Sequence, residues 1–263
     1  MTPPALVAIH TNRARLSLRP VLKAPVDSVR LETKKIPWTG KHRISVVYGT
    51  SPRVGSTSPT ALVLAHGVGK SMSSRFITFF HVEMARRGFL TVKFNFPYME
   101  PRWRLTRTPN PKEVLVGCYR RVLNEVRSQH SPGKLVIGGL SMGAAVASHI
   151  VADKPGRSDV DGLFYFGYPI HRPGRPEELG VKHLFQISKP MLFIAGTRDP
   201  NARPEQLKDL ISELGPSARL HLIDDGDRFL NARKGRAIYF KTLDRSATVL
   251  EDWIRIQVNL VSS

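Results

Sequence analysis

One serine in this 263-residue chain lies in a pattern typical of a catalytic nucleophile. It stands in Gly139-Leu140-Ser141-Met142-Gly143, between a short apolar run that predicts a buried strand and a small-residue segment that predicts a helix. A strand–turn–helix with flanking glycines is the arrangement in which a strained bend presents a serine hydroxyl to a cleft. Because Gly-x-Ser-x-Gly alone recurs by chance, this context is what predicts Ser141 as a nucleophile.

An acidic residue follows another buried strand. Residues 191–196 form a continuous apolar run, and Asp199 comes three residues after it. Because ligands meet an open parallel sheet at the carboxyl ends of its strands, we expect Asp199 and Ser141 on the same side of the sheet. A nucleophile, then an acid, then a loop after the last strand is the chain order of an α/β-hydrolase. Asp199 would orient a histidine base, and the alternative is an ordinary turn residue before Pro200.

Backbone amides near Ser141 could stabilise a developing oxyanion. The Met142 N–H follows the serine directly, and a second N–H would come from the Gly67–Val68 turn after the predicted strand at 61–66. Glycine at that turn lets the backbone approach a substrate closely. The sequence therefore predicts an oxyanion hole built from Met142, Val68 and Gly67.

The loop where a base belongs holds no histidine. Residues 224–230 follow the last predicted strand and contain Arg228 but no histidine. Arginine cannot accept a proton at working pH, so it cannot replace the base. His221 lies upstream in the strand, while His171 and His183 follow the predicted strand 162–168 on the correct side of the sheet. Each is a candidate substitute base, although any one histidine is more often a surface or packing residue.

Nothing in the sequence predicts a metal or an organic cofactor. Gly69-Lys70-Ser71 hints at a phosphate-binding loop, but Leu64 stands where that motif requires glycine. Cys118, the one cysteine, allows neither an internal disulfide nor a cysteine cage, and no His/Asp spacing suggests a metal site.

Basic residues collect in the loops predicted at the strand carboxyl ends. Convergence of these side chains would favour a ligand that carries a carboxylate or phosphate, whereas the alternative is that each points into solvent. The residues are Lys70, Arg102, Arg104, Arg172, Arg198 and Arg228, of which Lys70, Arg172 and Arg198 are the candidate ligand contacts.

The net charge of +19 is unevenly distributed. Residues 1–130 hold 22 Lys and Arg against 6 Asp and Glu, and the remainder is nearly balanced. An acidic protein partner is one interpretation of this excess. Nucleic acid is disfavoured, because the chain has no run of five basic residues and no alternation of aromatic and basic residues. No apolar segment is long enough to span a bilayer. We expect a cytoplasmic protein, or one imported into an organelle through its Arg-rich, acid-free N-terminus.

The apolar pattern predicts a mostly parallel eight-stranded sheet that begins antiparallel and has helices on both faces. Two leading strands precede a β–α alternation, and several strands are continuous apolar runs. Strands are predicted at residues 29–36, 43–48, 61–66, 90–96, 135–139, 162–168, 191–196 and 219–223. Helices are predicted at residues 76–87, 112–128, 142–151, 205–214 and 243–260. We expect one domain over 27–263 after an N-terminal tail or edge strand over 1–26.

The chain resembles the small α/β-hydrolase-like proteins related to dienelactone hydrolases, a group that includes a testis-expressed protein and part of a nuclear acetyltransferase-complex subunit. The matching segments are His66-Gly67-Val68-Gly69, Phe94-Asn95-Phe96-Pro97-Tyr98-Met99-Glu100, Gly138-Gly139-Leu140-Ser141-Met142-Gly143, Gly167-Tyr168-Pro169, Gly196-Thr197-Arg198-Asp199-Pro200 and Asp225-Gly226-Asp227. The resemblance implies a hydrolase fold with Ser141 and Asp199 as triad members, and in the family a histidine typically stands at the position of Arg228. Two functions follow as expectations: a serine hydrolase of a small ester or thioester, or a catalytically silent binding or interaction module.

Overall fold

The computed structural model describes residues 29–54, 58–100, 110–153, 159–172, 174–232 and 234–258, so the predicted tail at 1–26 lies outside the described residues. Ten strands form within these ranges. They are β1 (Arg30–Pro37), β2 (Arg43–Thr50), β3 (Thr60–Ala65), β4 (Leu90–Phe94), β5 (Lys134–Leu140), β6 (Gly162–Phe166), β7 (His171–Arg172), β8 (Arg175–Leu179), β9 (Met191–Gly196) and β10 (Ala218–Ile223).

Eight of these strands form one sheet that begins antiparallel and continues parallel. Its order is β1-β2-β4-β3-β5-β6-β9-β10. β2 runs antiparallel to both β1 and β4, and every later pair of neighbours is parallel. This confirms the predicted architecture. The carboxyl ends of β3, β5, β6, β9 and β10 therefore meet at one edge of the sheet.

Five helices cover the sheet on both faces, as predicted. They are α1 (Arg75–Arg86), α2 (Lys112–His130), α3 (Met142–Ala152), α4 (Pro204–Leu214) and α5 (Arg236–Trp253). Alternate residues of β3 show the two layers: Ala61, Val63 and Ala65 pack in the core that contains α2, α3 and α4. Leu62 and Leu64 pack on the other side with α1 and α5. A strand buried on both faces explains its unbroken apolar sequence.

The predicted start of the last helix was wrong, and one short hairpin was not predicted. The last helix begins at Arg236 and not at 243, because its first two turns are mostly exposed and Phe240 is the one buried residue in them. Gly235, at φ 88°, marks the true start of that helix. The hairpin of β7 and β8 was not predicted, since the sequence of β8, Arg175–Leu179, is charged and lacks apolar alternation.

Arg87 ties the first helix to the last. It follows α1 and forms ion pairs with Glu83 at 3.0 Å, Asp244 at 2.9 Å and Glu251 at 2.8 Å. Asp244 and Glu251 belong to α5, so one guanidinium bridges two helices on the same face of the sheet. The guanidinium is only 16% exposed, so these pairs are less screened than ordinary surface pairs.

Tyr119 locks α2 to the two central strands. Its buried hydroxyl lies 2.7 Å from the Val63 carbonyl of β3 and 2.8 Å from the Gly138 carbonyl of β5, and it accepts the Gly138 N–H at 3.0 Å. The hydroxyl has one proton and donates it to one of these carbonyls at a time, so it satisfies the Gly138 N–H and one carbonyl in the core. β5 leads directly into Ser141, so this contact also supports the candidate site.

Two histidines, His66 and His81, are sealed inside the fold with no exposed surface. Burial lowers the pKa of both imidazoles, that of His66 to about 4 and that of His81 well below its usual value. Both side chains are therefore neutral in the folded protein at physiological pH.

Replacing Tyr119 by Phe should lower the free energy of unfolding by about 1–3 kcal/mol, because the buried Gly138 N–H and a buried carbonyl lose their hydrogen-bond partner. Tyr165 is the matched control, since its buried hydroxyl has no hydrogen-bond partner among the described residues. Tyr165→Phe should be neutral or slightly stabilising. Urea unfolding of both variants measures the difference, and equal losses would contradict the assigned role of Tyr119.

Acidification from pH 7 to pH 5 should destabilise the protein. The unfolded chain takes up a proton on His66 near pH 6.5, whereas the folded chain takes one up only near pH 4. Between these values the unfolded state binds more protons, so stability falls as the pH falls, by about 2 kcal/mol from His66 alone. Urea midpoints at the two pH values measure this, and His66→Asn should flatten the dependence.

Candidate active site

Ser141 occupies the bend between β5 and α3. Its backbone has φ 52° and ψ −115°, a region that residues with a side chain rarely adopt. The Ser141 N–H donates to the Phe166 carbonyl of β6 at 2.9 Å, and its own carbonyl accepts from Ala145 N–H at 3.1 Å. Ser141 is 7% exposed. The strained backbone is thus held by the sheet on one side and by the first turn of the helix on the other.

Glycines allow the end of β3 to press against this bend. A Cβ atom on Gly139 would collide with the Ala65 carbonyl, and one on Gly143 would lie 2.6 Å from the same oxygen and 2.8 Å from the His66 carbonyl. Real Cβ atoms do not approach backbone atoms so closely. The two glycines around Ser141 are therefore required by the packing of β3 against the bend.

The turn after β3 lies directly beside the serine. A Cβ on Gly67 would be 3.5 Å from the Ser141 Cβ. The Gly67 carbonyl is contacted by His66 Nδ1 at 3.0 Å, Lys70 N–H at 3.2 Å and the Tyr98 hydroxyl at 3.4 Å. Because a trans peptide is planar, fixing this carbonyl fixes the Val68 N–H in the opposite direction.

The second amide belongs to the first turn of α3. Met142 is the first helical residue, and the leading N–H groups of a helix have no acceptor within the helix. They are therefore available to an oxyanion, and the positive end of the helix dipole favours negative charge there. Ser141 and Gly67 lie side by side at the carboxyl edge of the sheet. Met142 follows Ser141 and Val68 follows Gly67, so their two N–H groups are close to the serine.

His66 positions the turn that carries Val68, a role that sequence reasoning missed. Its Nε2 accepts the Phe96 N–H at 3.0 Å, so Nδ1 carries the proton and donates to the Gly67 carbonyl. The pKa lowered to about 4 by burial keeps this tautomer at neutral pH. The imidazole also stacks edge-on against Phe96 and Tyr98. A histidine directly after a buried strand and before a glycine was the available signal.

Asp199 follows β9 and has a fully buried side chain. Its Oδ1 accepts the Asn201 N–H at 3.0 Å and lies 3.5 Å from Arg228 Nε. Its Oδ2 has no hydrogen-bond partner among the described residues. Burial raises the pKa of this carboxyl, and the Asn201 N–H and the Arg228 charge oppose that effect. One carboxylate oxygen is thus left to receive a donor.

Arg228 and Asp199 meet at the end of β6. Gly167, at φ 50°, follows that strand, and a Cβ there would lie 2.7 Å from Arg228 Cγ and 3.2 Å from Asp199 Oδ2. The preceding Phe166 carbonyl accepts from Ser141 N–H. The structure therefore gathers the serine, the acid and the arginine around one strand end. At 3.5 Å the contact between Arg228 Nε and Asp199 is a long ion pair and not a well-formed hydrogen bond.

The loop that carries Arg228 is rigidly built. Asp227 Oδ1 accepts from the backbone N–H groups of Phe229 at 2.7 Å and Asn231 at 3.0 Å. Arg198 binds the other end of the loop, with its guanidinium 2.7 Å from the Asp225 carbonyl and 2.6 Å from the Asp225 carboxylate. These contacts therefore fix the position from which the Arg228 side chain extends.

The other basic candidates have varied surroundings. Lys70 is exposed and its Nζ lies 5.4 Å from the centre of the Phe229 ring, which brings the turn after β3 to the loop after β10. The backbone of Arg172 lies in β7, whereas its side chain falls outside the described part of the chain. Arg102 and Arg104 also lie outside the described residues. A common binding role for these cations stays a prediction.

His183 takes part in a polar cluster on the far part of α3. Its Nε2 lies 2.8 Å from Ser148 Oγ and 3.2 Å from the Tyr168 hydroxyl, and its ring stacks on His149 with centroids 3.8 Å apart. Burial lowers its pKa to about 4. Ser148 is seven residues, about two helical turns, beyond Ser141.

The other two candidate bases, His221 and His171, lie on β10 and β7. His221 is half-buried on β10, and its pKa is lowered by burial and by the charge of Arg245. His171 is buried at the start of β7. Among the described residues, no side chain forms a hydrogen bond with Ser141 Oγ, so the identity of a base stays a prediction.

Other features of the described residues lie apart from Ser141. A surface depression of about 480 Å³ between α4 and β10 is lined by residues that include Lys208, Pro216 and Arg219. It opens at the amino end of β10, opposite the edge that carries the serine. Across the described ranges, no group of three or more His, Cys, Asp or Glu could hold a metal ion. Likewise, none of the helices described above is long and apolar enough to cross a membrane.

Solved structures of hydrolases share this fold. A lidless a/b serine hydrolase from Xanthomonas campestris is 19% identical, with a TM-score of 0.65 over 85% of this chain and 94% of that chain. A dienelactone hydrolase from Anabaena variabilis is 16% identical, with a TM-score of 0.66 over 87% and 98%. Est1E from Butyrivibrio proteoclasticus is 12% identical, with a TM-score of 0.68 over 86% and 99%. At these identities the likeness establishes the fold.

The family follows from the sequence itself. Residues 58–255 match the family model for an alpha/beta hydrolase domain, which is most of the chain. The relation to serine and dienelactone hydrolases that the motifs indicated is confirmed at this level. The finer resemblance to the testis-expressed group stays a prediction. The chain belongs to the alpha/beta hydrolase family.

Proposed function

We propose that the protein is a serine hydrolase that acts on a small ester or thioester through Ser141. The observation that carries the proposal is the strained backbone of Ser141, at φ 52°, directly beside the turn of Gly67 and Val68. Such strain persists only where the surrounding structure enforces it, and it is concentrated at functional sites. A serine of purely structural importance would not need two glycines to hold it there.

The acylation step uses groups already described. Ser141 Oγ attacks the acyl carbon, a new O–C bond forms, and the carbonyl π electrons move onto oxygen. The Val68 and Met142 N–H groups would donate to this oxyanion. The oxyanion collapses, the bond to the leaving group breaks, and the serine proton passes to solvent water. Removal of one such donor in a serine hydrolase typically costs 10²–10³-fold in rate.

The missing histidine restricts the substrate. Without an imidazolium to protonate it, the leaving group must depart as an anion. A thiol has a pKa of about 8.5, far below that of an alkyl alcohol, so a thiolate or another weakly basic anion leaves readily. The site therefore favours thioesters and activated esters over alkyl esters or amides.

The second step is expected to be slow. Water must attack the acyl-Ser141 carbon to release the acid, and in this proposal no histidine at position 228 assists it. General acid–base catalysis contributes about 10²–10⁴-fold, and its loss affects this step most, because the serine alkoxide that must leave is far more basic than the thiolate expelled in the first step, so the acyl-enzyme accumulates. We therefore propose a hydrolase with a rapid first turnover relative to the later ones.

Asp199 and Arg228 have separate parts in this proposal. Asp199 is the acid of the incomplete triad, and its Oδ2 is the acceptor that a histidine would have used. Arg228 stands at the base position and neutralises part of the carboxylate charge. Its guanidinium, with the exposed Lys70 on the turn after β3, supports an anionic substrate or ligand.

A binding module is the second candidate, and the contact between Arg228 and Asp199 favours it. A cation that pairs with the triad acid leaves the acid unable to serve a base as it does in hydrolases. In that case the amides beside Ser141 bind a carboxylate or carbonyl group without breaking a bond. The two candidates differ in whether Ser141 forms a covalent adduct.

An activity-based fluorophosphonate should label Ser141. Its oxygen displaces fluoride at phosphorus, a reaction that the same amides assist, and intact-protein mass spectrometry detects the adduct. Labelling should be slow, because no base removes the serine proton, and Ser141→Ala should abolish it. Ser148→Ala is the matched control, since Ser148 lies on the same helix but is fully buried, and it should label normally. An unlabelled protein after prolonged exposure would support the binding module instead.

Arg228→His should raise thioester turnover by about 100-fold, the lower end of the range for a general base. The imidazole would donate to the free Asp199 Oδ2 and accept the serine proton. Steady-state hydrolysis of a short-chain thioester measures the gain. Arg228→Gln removes the charge without supplying a base and should not reproduce it. Adding Asp199→Asn to Arg228→His should cancel the gain; a gain that survives would mean that the histidine acts without the acid.

A further inference from the structure

A buried lysine lies on the face of β4 that packs against α1, away from Ser141. Lys93 is 7% exposed, and its Nζ donates to Thr78 Oγ1 at 3.0 Å. Burial lowers the pKa of this amine to about 8. Within the described ranges no carboxylate forms an ion pair with it. A buried ammonium is normally paired, so a lone one indicates that the site receives another group.

His81 lies beside this amine with both ring nitrogens unsatisfied. It follows Thr78 by three residues on α1, which places both side chains on the same face of the helix. The His81 ring has no exposed surface, and neither of its nitrogens has a hydrogen-bond partner among the described residues. The charge of Lys93 adds to burial in lowering the pKa of His81. The neutral imidazole therefore holds one N–H donor that requires an acceptor.

Because Gly49 of β2 has no side chain, the His81 imidazole fits beside that strand. A Cβ on Gly49 would lie 3.0 Å from His81 Cε1 and 2.6 Å from Thr91 Oγ1. The buried carboxylate of Glu100 is bound by Ser45 and Lys35, not by Lys93. The cluster of Lys93, Thr78 and His81, which we call the Lys93 cluster, thus offers an amine and two donors with no anion.

We propose that Lys93 reversibly forms a carbamate with carbon dioxide. The lone pair of the uncharged amine attacks the CO₂ carbon, an N–C bond forms, and one C=O π pair moves onto oxygen. The nitrogen then releases a proton to solvent, so the product is an N-linked carboxylate, and nothing is oxidised or reduced. Its oxygens accept from the His81 N–H and from the Thr78 hydroxyl, which changes from acceptor to donor.

The burial of the amine favours a small electrophile. Lys93 is 7% exposed, and CO₂ has three atoms and no charge to desolvate. The modification also removes the unpaired ammonium and satisfies the His81 donor in one step. It does not depend on Ser141, so it stands whether or not the protein is a hydrolase.

Carbon-13 NMR with ¹³C-bicarbonate tests the proposal on the full chain. A protein-bound carbamate signal should appear, and trapping with a trialkyloxonium salt followed by peptide mass spectrometry should locate the esterified carbamate on Lys93. Lys93→Met should abolish this signal, while the matched Lys41→Met, at an exposed lysine, should retain it. Trapping on the wild-type chain requires no folded variant, so absence of the Lys93 adduct at saturating bicarbonate would overturn the proposal.

The His81 donor can be tested separately. His81→Leu removes the donor and should weaken CO₂ binding about tenfold, because a hydrogen bond to a charged group is lost. His81→Gln keeps an N–H donor and should restore most of the affinity. If His81→Leu binds CO₂ as tightly as the wild type, the carbamate does not lie in the Lys93 cluster, and the assignment fails.

Discussion

The contact between the end of β3 and the bend after β5 is the constraint on which the candidate active site depends. The Ala65 and His66 carbonyls occupy the space that side chains on Gly139 and Gly143 would need. Because the two strands cannot separate without breaking their ladder, the chain turns at Ser141 with a positive φ. The same contact brings the turn of Gly67 to the serine. The strained backbone of Ser141 and the position of the proposed oxyanion donors therefore result from the same packing.

The groups around this bend come from separate elements that end at one edge of the sheet. The serine, its neighbouring amides and the buried acid all lie at the carboxyl edge of the sheet. Arg228 stands where the resemblance predicts a histidine, on a loop braced by Asp227 and Arg198. In the proposed function the difference from a complete triad is therefore one side chain and not the scaffold.

Much of the fold could be predicted, because a strand that is buried on both faces has a continuous apolar sequence, as in β3 and β9. The start of α5 and the hairpin of β7 and β8 could not, since exposed segments are held by tertiary contacts and not by their own pattern. Ser141 stood out through its glycines, and Asp199 through its place after a strand. The role of His66 depends on the Phe96 N–H, thirty residues away, and only three-dimensional structure brings the two together.

The bridge made by Arg87 has a consequence for how the chain reaches this structure. Its guanidinium forms ion pairs with the neighbouring Glu83 and with Asp244 and Glu251, which lie more than 150 residues later in the chain. During synthesis Arg87 therefore has only its Glu83 partner until the last helix has emerged from the ribosome. We expect the nascent protein to remain open along the α1 face until then, which makes that face the natural place for a chaperone to bind.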